Sequence, residues 1–196
     1  MTPKFIIIHH SGGSDANPLQ DSSNFTVQEC NALHKQKFNM KSSLGWYVGY
    51  QYFIDKNGVI TQCRADTEEG AHTIGQNKNS IGVVLAGNFD ATLPTESQKN
   101  SLRWLLDKKV KEHNIPTGNI VPHRLFAKKT CYGKLLNDTW AKDLLNQRVT
   151  PVTPPAKKVD SITPLVSKLV SQISLKDYKG AKDTTTNLLS ELTKII

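Results

Sequence analysis

Two continuous apolar runs constrain the fold of this chain more than any other feature. Lys4 to His10 contains the run Phe5-Ile6-Ile7-Ile8, and Ser80 to Ala86 is also apolar and rich in β-branched residues. Such runs are typical of strands buried inside a sheet. A further short strand is predicted at Ile120-Val121, which ends at His123.

Helix signals lie between these strands. Thr26 to Glu29 and Thr95 to Gln98 both match a capping box, in which a threonine begins a helix and the residue three positions later reaches back to it. The first helix is predicted to run to about Phe38. A last helix is predicted over roughly Lys134 to Asn146.

A hairpin signal completes the pattern. Asn57-Gly58 stands between the strand-prone segments Tyr50 to Ile54 and Val59 to Cys63, which predicts two antiparallel strands joined by a tight turn. Hairpin strands mixed with intervening helices predict an α/β fold with a central mixed β-sheet flanked by helices.

The C-terminal quarter has a different composition. We predict a catalytic domain over 1–148, a Pro/Thr-rich extended linker over 149–160, and a small α-helical region over 161–196. Apolar residues in the last region, such as Leu165, Leu169 and Ile173, recur at helical spacing. So small a unit lacks a core of its own, so it must dock on the first domain, self-associate or bind something external.

Charge and composition restrict the partners. The net charge of +8 favours polyanions, but the lysines are scattered without a nucleic-acid-binding signature, so we expect no nucleic-acid partner. No apolar run reaches the roughly 20 residues of a membrane span. The N-terminal run predicts a strand rather than a signal peptide. An odd number of cysteines favours a reducing compartment, with Cys30 and Cys63 as buried hydrophobes.

The residues with the clearest chemistry lie at predicted strand ends. His9 ends the first strand, His123 ends the last, and Cys131 follows shortly after. Two imidazoles and one thiolate form a known set of catalytic zinc ligands. The residues alone do not decide between His9 and His10, because successive strand side chains point to opposite faces. His34 and His113 are predicted to be structural.

Six separated motifs occur in a consistent order. They are Ile7-Ile8-His9-His10-Ser11, Val48-Gly49-Tyr50-Gln51-Tyr52-Phe53-Ile54, Gly70-Ala71-His72-Thr73, Asn79-Ser80-Ile81-Gly82-Val83, Gly87-Asn88-Phe89, and His123-Arg124 followed by Lys129-Thr130-Cys131. With these motifs, residues 4–147 resemble the zinc amidases that include phage amidase endolysins, bacterial amidases and animal peptidoglycan recognition proteins. The resemblance implies their fold and hydrolysis of the amide between N-acetylmuramic acid and L-alanine.

The resemblance also implies roles for individual residues. It implies His9, His123 and Cys131 as Zn²⁺ ligands, Tyr50 and Lys129 as catalytic residues, and His72 and Asn88 as substrate-binding residues. Alternatives stay open for three of them: Tyr50 as an ordinary strand tyrosine, Lys129 as solvated surface, and His72 as a loop histidine with a backbone partner.

Three positions depart from the family pattern. Tyr132 stands where the family usually has proline after the cysteine ligand. Pro122 replaces a glycine before the second histidine ligand, and Leu125 replaces an acidic residue two positions after it. These changes affect the shape and support of the loop, and they leave the predicted ligands in place.

The resemblance suggests a biological setting. We predict a phage endolysin that acts on peptidoglycan, stays in the host cytoplasm until its release to the cell wall, and uses its C-terminal helices to target the wall or to self-associate. The alternatives are a cytoplasmic bacterial recycling amidase, an exported toxin and a non-catalytic peptidoglycan-binding module. The residues name neither the host nor the type of stem peptide.

Overall fold

The central element is a five-stranded mixed sheet. The structure is a computed structural model that describes residues 1–146 and Thr185. The sheet consists of β1 Phe5–His10, β2 Tyr52–Ile54, β3 Ile60–Gln62, β4 Ser80–Leu85 and β5 Ile120–Pro122. Across the sheet, the strands lie in the order β3-β2-β4-β1-β5. Strand β1 runs parallel to β4 and β5, β2 runs parallel to β4, and β3 runs antiparallel to β2. The predicted fold class, a mixed sheet flanked by helices, is confirmed.

Both predicted capping boxes are present. Helix α1 spans Val27–Phe38, and the Thr26 N–H donates to Glu29 Oε2 at 2.7 Å while Thr26 Oγ1 accepts from the Glu29 N–H at 3.2 Å. Helix α2 spans Glu96–His113 and begins with the same reciprocal pair between Thr95 and Gln98. These local bonds satisfy backbone N–H groups that a helix start otherwise leaves without partners, which explains why the sequence predicted them well.

The predicted hairpin is formed by β2 and β3, with strands shorter than the sequence suggested. Asp55 Oδ1 accepts hydrogen bonds from the N–H groups of Asn57 and Val59 at 2.9 and 2.8 Å. Gly58 adopts a φ of 83°, a left-handed conformation that side chains disfavour. The turn chemistry therefore defines the register of this edge of the sheet.

The last predicted helix was wrong at its beginning. Helix α3 spans only Trp140–Asp143 and continues as a 3₁₀ turn over Leu144–Asn146, whereas Lys134 was expected to begin it. The Lys134 N–H instead donates to Asp90 Oδ1 at 2.8 Å, and Asn137 Oδ1 accepts from the Thr139 N–H at 3.0 Å. These bonds from side chains to the backbone compete with helix formation and hold the segment before Trp140 in turns.

Helices α1 and α2 cover opposite faces of the sheet. Helix α2 packs on the face that carries Ile6 and Ile8 and forms the larger apolar cluster. Helix α1 contributes Cys30 to a smaller cluster with Phe53 and Val84. The predicted burial of Cys30 and Cys63 is confirmed, at 2% and 0% exposure.

The C-terminal predictions fall largely outside the described residues. The domain boundary near 148, the linker over 149–160 and the helical region over 161–196 stay predictions, since Thr185 is the one described residue beyond 146. In the part of the chain that the structure describes, no helix is long and apolar enough to cross a membrane.

Candidate metal centre and catalytic cleft

The sheet separates the two adjacent histidines. His9 and His10 are the last two residues of β1, and they are 1% and 8% exposed. The ring of His9 lies beside those of Tyr50, His72 and His123, whereas His10 Nδ1 accepts the Phe89 N–H at 2.9 Å. His10 therefore holds the backbone beyond β4, and His9 is the member of the pair that joins the candidate ligands.

Three candidate ligand atoms converge at one edge of the sheet. Ligand atoms of His9, His123 and Cys131 all lie within 4.8 Å of one another. His9 Nδ1 is 3.7 Å from Cys131 Sγ, and the rings of His9 and His123 have centroids 4.4 Å apart. Strands β1 and β5 are parallel neighbours, so His9 and His123 reach the same edge, and the loop after His123 returns Cys131 to it. Three residues from separate sequence motifs, His9, His123 and Cys131, thus form one cluster.

The electrostatics of the cluster suit metal binding. Burial and the neighbouring histidines, first among them His72, hold the pKa of His9 well below its usual value, so its imidazole is neutral at pH 7. Burial, and then the charge of Lys129, lower the pKa of His123. Neutral imidazole is the form that binds a metal ion. Burial raises the pKa of the Cys131 thiol to about 12, so binding of a metal ion at neutral pH would release the thiol proton.

Tyr50 lies beside the candidate ligands. Its ring centroid is 4.9 Å from that of His9, and the residue precedes β2 instead of standing within it. Burial, followed by the nearby Cys131, raises the pKa of the Tyr50 phenol well above its usual value. The phenol therefore stays protonated at neutral pH and offers an O–H donor to the cleft.

Lys129 borders the same cleft from the loop that carries Cys131. The cleft has a volume of about 630 Å³ and is lined by the three candidate ligands together with Tyr50, His72 and Lys129. None of the ion pairs among residues 1–146 involves Lys129, and its ammonium is near enough to lower the pKa of His123. Among the described residues, Lys129 is thus a cation without an ion-pair partner beside the cluster.

The two predicted substrate-binding residues differ in their access to the cleft. Asn88 is fully buried, and its side-chain NH₂ donates to the carbonyl oxygens of Pro18 and Gln20 at 2.8 and 2.9 Å. This geometry makes Asn88 an anchor for the loop before α1 and does not present it to a ligand. His72 lines the cleft, but Nδ1 faces His9 and Nε2 is buried. The role of His72 in binding substrate stays a prediction. Because both ring nitrogens face away from the cleft, such a contact would have to come from the carbon atoms of the ring.

The sequence interpretation assigned no role to Arg124, which organises the cysteine loop. Its backbone N–H donates to the Cys131 carbonyl at 2.6 Å, and its guanidinium donates to Gly133 O, Leu136 O and Asp138 at 2.8, 2.7 and 2.6 Å. The sequence did contain a signal for this residue, since Arg124 directly follows the candidate ligand His123 in the last of the six motifs. His34, Lys37 and Phe38 of α1 also line the cleft and were not predicted there.

The structure accommodates the three departures from the family pattern. Tyr132 is fully buried, its O–H donates to Asn137 O at 2.7 Å, and its ring lies 5.6 Å from that of Trp140. Pro122 ends β5 at the edge of the sheet, where a residue without an N–H is tolerated. Leu125, at the position of the acidic residue, is 54% exposed. The loop is held here by the hydrogen bonds of the neighbouring Arg124.

In a second group of potential metal ligands, a lysine forms ion pairs with the carboxylates. Asp66, Glu112 and His113 also have ligand atoms within 4.8 Å of one another. Lys109 Nζ lies 2.8 Å from Asp66 Oδ2 and 2.7 Å from Glu112 Oε2, so an ammonium already neutralises these carboxylates. His113 Nε2 lies 2.8 Å from the same Asp66 oxygen, which confirms its structural role at the end of α2.

Comparison with known proteins decides the family. A family model described as N-acetylmuramoyl-L-alanine amidase matches residues 1–134, which is more than half of the chain. The chain belongs to the N-acetylmuramoyl-L-alanine amidase family. Among relatives of this family, the endolysin of Enterobacteria phage T3 is 32% identical over 152 residues, which cover 74% of this chain and 89% of the endolysin. The amidase CwlH of Bacillus subtilis is 30% identical over 175 residues, which cover 89% of this chain and 64% of CwlH.

Other family relatives are longer than the matched region. The human N-acetylmuramoyl-L-alanine amidase is 28% identical over 142 residues, and the match spans 24% of its length. Among solved structures, the amidase LysC from Clostridium intestinale matches with a TM-score of 0.60 and 26% identity, covering 75% of this chain and 87% of LysC. Drosophila peptidoglycan recognition protein SD shares the fold, with a TM-score of 0.56 and 22% identity over 78% of this chain and 85% of that one.

Proposed function

We propose that this chain is a zinc-dependent amidase that hydrolyses the amide between N-acetylmuramic acid and the L-alanine of the stem peptide. The observation that carries the proposal is the convergence of His9, His123 and Cys131 at a cleft that Tyr50 and Lys129 also border. Water would add across the C–N bond, leaving a carboxylate on the lactyl group and a free amine on L-alanine. Membership of the amidase family supports this reaction.

The donor set fits zinc. Two imidazoles and a thiol without a carboxylate are borderline-soft ligands that suit Zn²⁺, and three protein ligands leave a fourth tetrahedral position. A bound zinc ion would act as a Lewis acid and lower the pKa of bound water to about 7. One thiolate among the ligands reduces the net charge of the centre to about +1. A second positive group beside the site is therefore useful.

Lys129 is suited to supply that positive group. Amide hydrolysis places negative charge on the carbonyl oxygen, and a positioned cation stabilises this charge more in the transition state than in the ground state. Lys129 stands two residues before Cys131, and its ammonium borders the cleft. We therefore assign Lys129 the stabilisation of the developing oxyanion.

Tyr50 is suited to hydrogen bonding at the reacting atoms. Burial raises the pKa of its phenol, so the O–H is retained at the pH where the amide is attacked. A neutral O–H next to the candidate ligands can donate to the carbonyl oxygen and pass a proton toward the leaving amine. A phenylalanine at this position would keep the ring contacts with His9 and lose both functions.

The proposed setting is a phage endolysin with peptidoglycan as its partner. The similarity to the T3 endolysin, which the match covers for 89% of its length, supports this setting over that of a cytoplasmic bacterial recycling amidase. We further propose that the enzyme acts once released to the cell wall and that residues 161–196 aid wall targeting. Removal of residues 149–196 should then reduce sedimentation with sacculi. Unchanged sedimentation would reject the targeting role and favour self-association or docking.

The decisive experiment incubates the purified chain with intact sacculi, with and without a zinc chelator, and identifies the products by mass spectrometry. We expect free stem peptides that begin at L-alanine beside peptide-free glycan. The chelator should abolish release, and added Zn²⁺ should restore it while Mg²⁺ should not. Sedimentation with sacculi without any release would instead indicate a peptidoglycan-binding module and overturn the catalytic assignments.

A further inference from the structure

Three polar atoms meet on the side of the His9 ring that faces away from Cys131. His9 Nδ1 lies 3.7 Å from Cys131 Sγ, so this nitrogen faces the other candidate ligands. His9 Nε2 lies 3.2 Å from His72 Nδ1 and 3.4 Å from Thr73 Oγ1. His72 Nδ1 and Thr73 Oγ1 are themselves 3.0 Å apart. His9 Nε2, His72 Nδ1 and Thr73 Oγ1 thus form a triangle in which each atom is within 3.4 Å of the other two.

The triangle constrains where the His9 proton can lie. A neutral imidazole has one N–H and one lone pair, and the nitrogen that binds a metal must offer its lone pair. If Nδ1 binds the metal, the proton is on Nε2 and points between His72 Nδ1 and Thr73 Oγ1. Thr73 can donate its own hydrogen to His72 Nδ1, so the triangle uses each available hydrogen.

We propose that Thr73 and His72 are positioning residues that hold the His9 ring in the Nε2–H tautomer with Nδ1 directed at the metal. The inference rests on the proposed zinc site. Metal-bound histidines commonly donate their second ring N–H to a neighbouring acceptor, and losing that acceptor typically weakens metal binding by about 10- to 100-fold. Here the acceptors are a second imidazole and a hydroxyl, the latter on a residue that is 2% exposed.

The surrounding chain is built to keep His72 in this place. The backbone N–H groups of His72 and Thr73 both donate to Asn77 Oδ1, at 2.9 and 2.8 Å. A methyl group added to Gly82 of β4 would lie 2.5 Å from Cδ2 of His72, and one added to Gly70 would lie equally close. The ring thus packs directly against glycine backbone, which a side chain at either position would prevent.

Neither ring nitrogen of His72 is placed to bind a ligand in the cleft. Nδ1 contacts both His9 and Thr73, and Nε2 is buried on the side of the Ser80 backbone, with no hydrogen bond of good geometry among residues 1–146. A purely structural histidine or threonine would affect stability and leave zinc affinity unchanged. The positioning role instead predicts a specific loss of zinc affinity.

The test measures the zinc dissociation constant of the full chain by competition with a chromophoric chelator. Thr73→Val, which removes the hydroxyl at nearly constant shape, and His72→Phe should each raise the dissociation constant about 10- to 100-fold. Thr73→Ser restores a hydroxyl and should bind zinc like the wild type. Thr61→Val on edge strand β3 is the matched control and should also bind like the wild type.

A second measurement observes the His9 proton directly. In ¹H–¹⁵N spectra of the zinc-bound wild type, His9 should show its proton on Nε2, and Thr73→Val should broaden or shift that signal. A proton on Nδ1 of His9, or unchanged zinc affinity in both Thr73→Val and His72→Phe, would overturn the positioning role. Failure of the proposed zinc site would differ, because the wild type itself would then bind no stoichiometric zinc.

Discussion

The two faces of the sheet have different chemistry. Helix α2 directs Leu102, Leu105 and Leu106 onto a large cluster of fully buried aliphatic side chains. Within helix α1 the single buried residue is Cys30, and Leu33 and Phe38 remain 52% and 40% exposed. Tyr50 packs against the smaller cluster on the α1 side, and Tyr50 and His72 line the cleft together with His9.

This difference separates stability from function. A close-packed apolar face excludes water and contributes most of the hydrophobic free energy of folding. The opposite face must admit water and a substrate, so it keeps an open cleft and buried neutral histidines at some cost in stability. Changes on the α2 face should therefore affect the free energy of unfolding, and changes at the cleft should affect zinc binding and turnover.

The largest effect is expected from replacing a cysteine that lines the cleft, compared with one on the same side of the sheet that does not. Cys131→Ala should abolish stoichiometric zinc and reduce peptide release from sacculi to background, because two imidazoles alone hold zinc poorly. Cys63→Ala is the matched control, since Cys63 is fully buried in the smaller apolar cluster and does not line the cleft. It should lose about 1–3 kcal/mol of stability and keep its zinc. Metal analysis and denaturant unfolding distinguish the two, and retained zinc in Cys131→Ala would remove it from the ligand set.

Truncating the core under α2 should produce the opposite pattern. Leu105 is 1% exposed, so Leu105→Ala should lower the free energy of unfolding by about 2–5 kcal/mol through lost burial and a residual cavity. Zinc affinity below the unfolding transition should stay within about twofold of the wild type, since additivity holds for distant sites. A large fall in the zinc affinity of the folded variant would show that the two faces are coupled.

The adjacent lysines allow a sharp test of catalysis. Lys129→Ala should reduce turnover by about a hundredfold or more, which corresponds to about 3 kcal/mol of transition-state stabilisation, while zinc content is kept. Lys128→Ala removes an equal charge from an exposed neighbour that does not line the cleft and should leave turnover nearly unchanged. Tyr50→Phe should resemble Lys129→Ala. Equal turnover in the two lysine variants would show that Lys129 is an ordinary surface residue without a catalytic role.

The zinc-free protein should lose stability in acid. Burial lowers the pKa of His34 to about 4 and that of His72 to about 3. The folded state keeps these rings neutral while the unfolded state protonates them near pH 6.5, so stability is full above that pH and falls as pH decreases toward 4. Each such histidine adds a slope of about 1.4 kcal/mol per pH unit.

Denaturant unfolding at pH values between 7.5 and 4.5 measures that slope. His34 Nδ1 accepts the Gly49 N–H at 2.8 Å, and His34→Asn supplies an oxygen acceptor without a titrating ring. This variant should show a flatter dependence of stability on pH. An unchanged slope would assign the acid sensitivity to the other buried histidines.

Local features of the fold were predictable because their causes are local. The two capping boxes, the Asn57-Gly58 turn and the apolar run of β1 each depend on a few consecutive residues. The last helix was misplaced because Lys134 bonds to Asp90, a residue 44 positions earlier that no local pattern reveals. The fully buried setting of Asn88 was missed for the same reason, since its partners Pro18 and Gln20 are about 70 residues away.

The sequence by itself determined the order of the main strands and helices, the family and the residue types available for metal binding, but not the beginning of the last helix. Only the tertiary structure decided which histidine of the adjacent pair turns toward Cys131, because strand parity permits either until the packing of both faces is known. It also decided that Thr73 lies behind His9, since residues 64 positions apart meet only when β1 and the loop before β4 are placed together. Spacing along a chain describes local geometry, and a metal centre depends on distances through space.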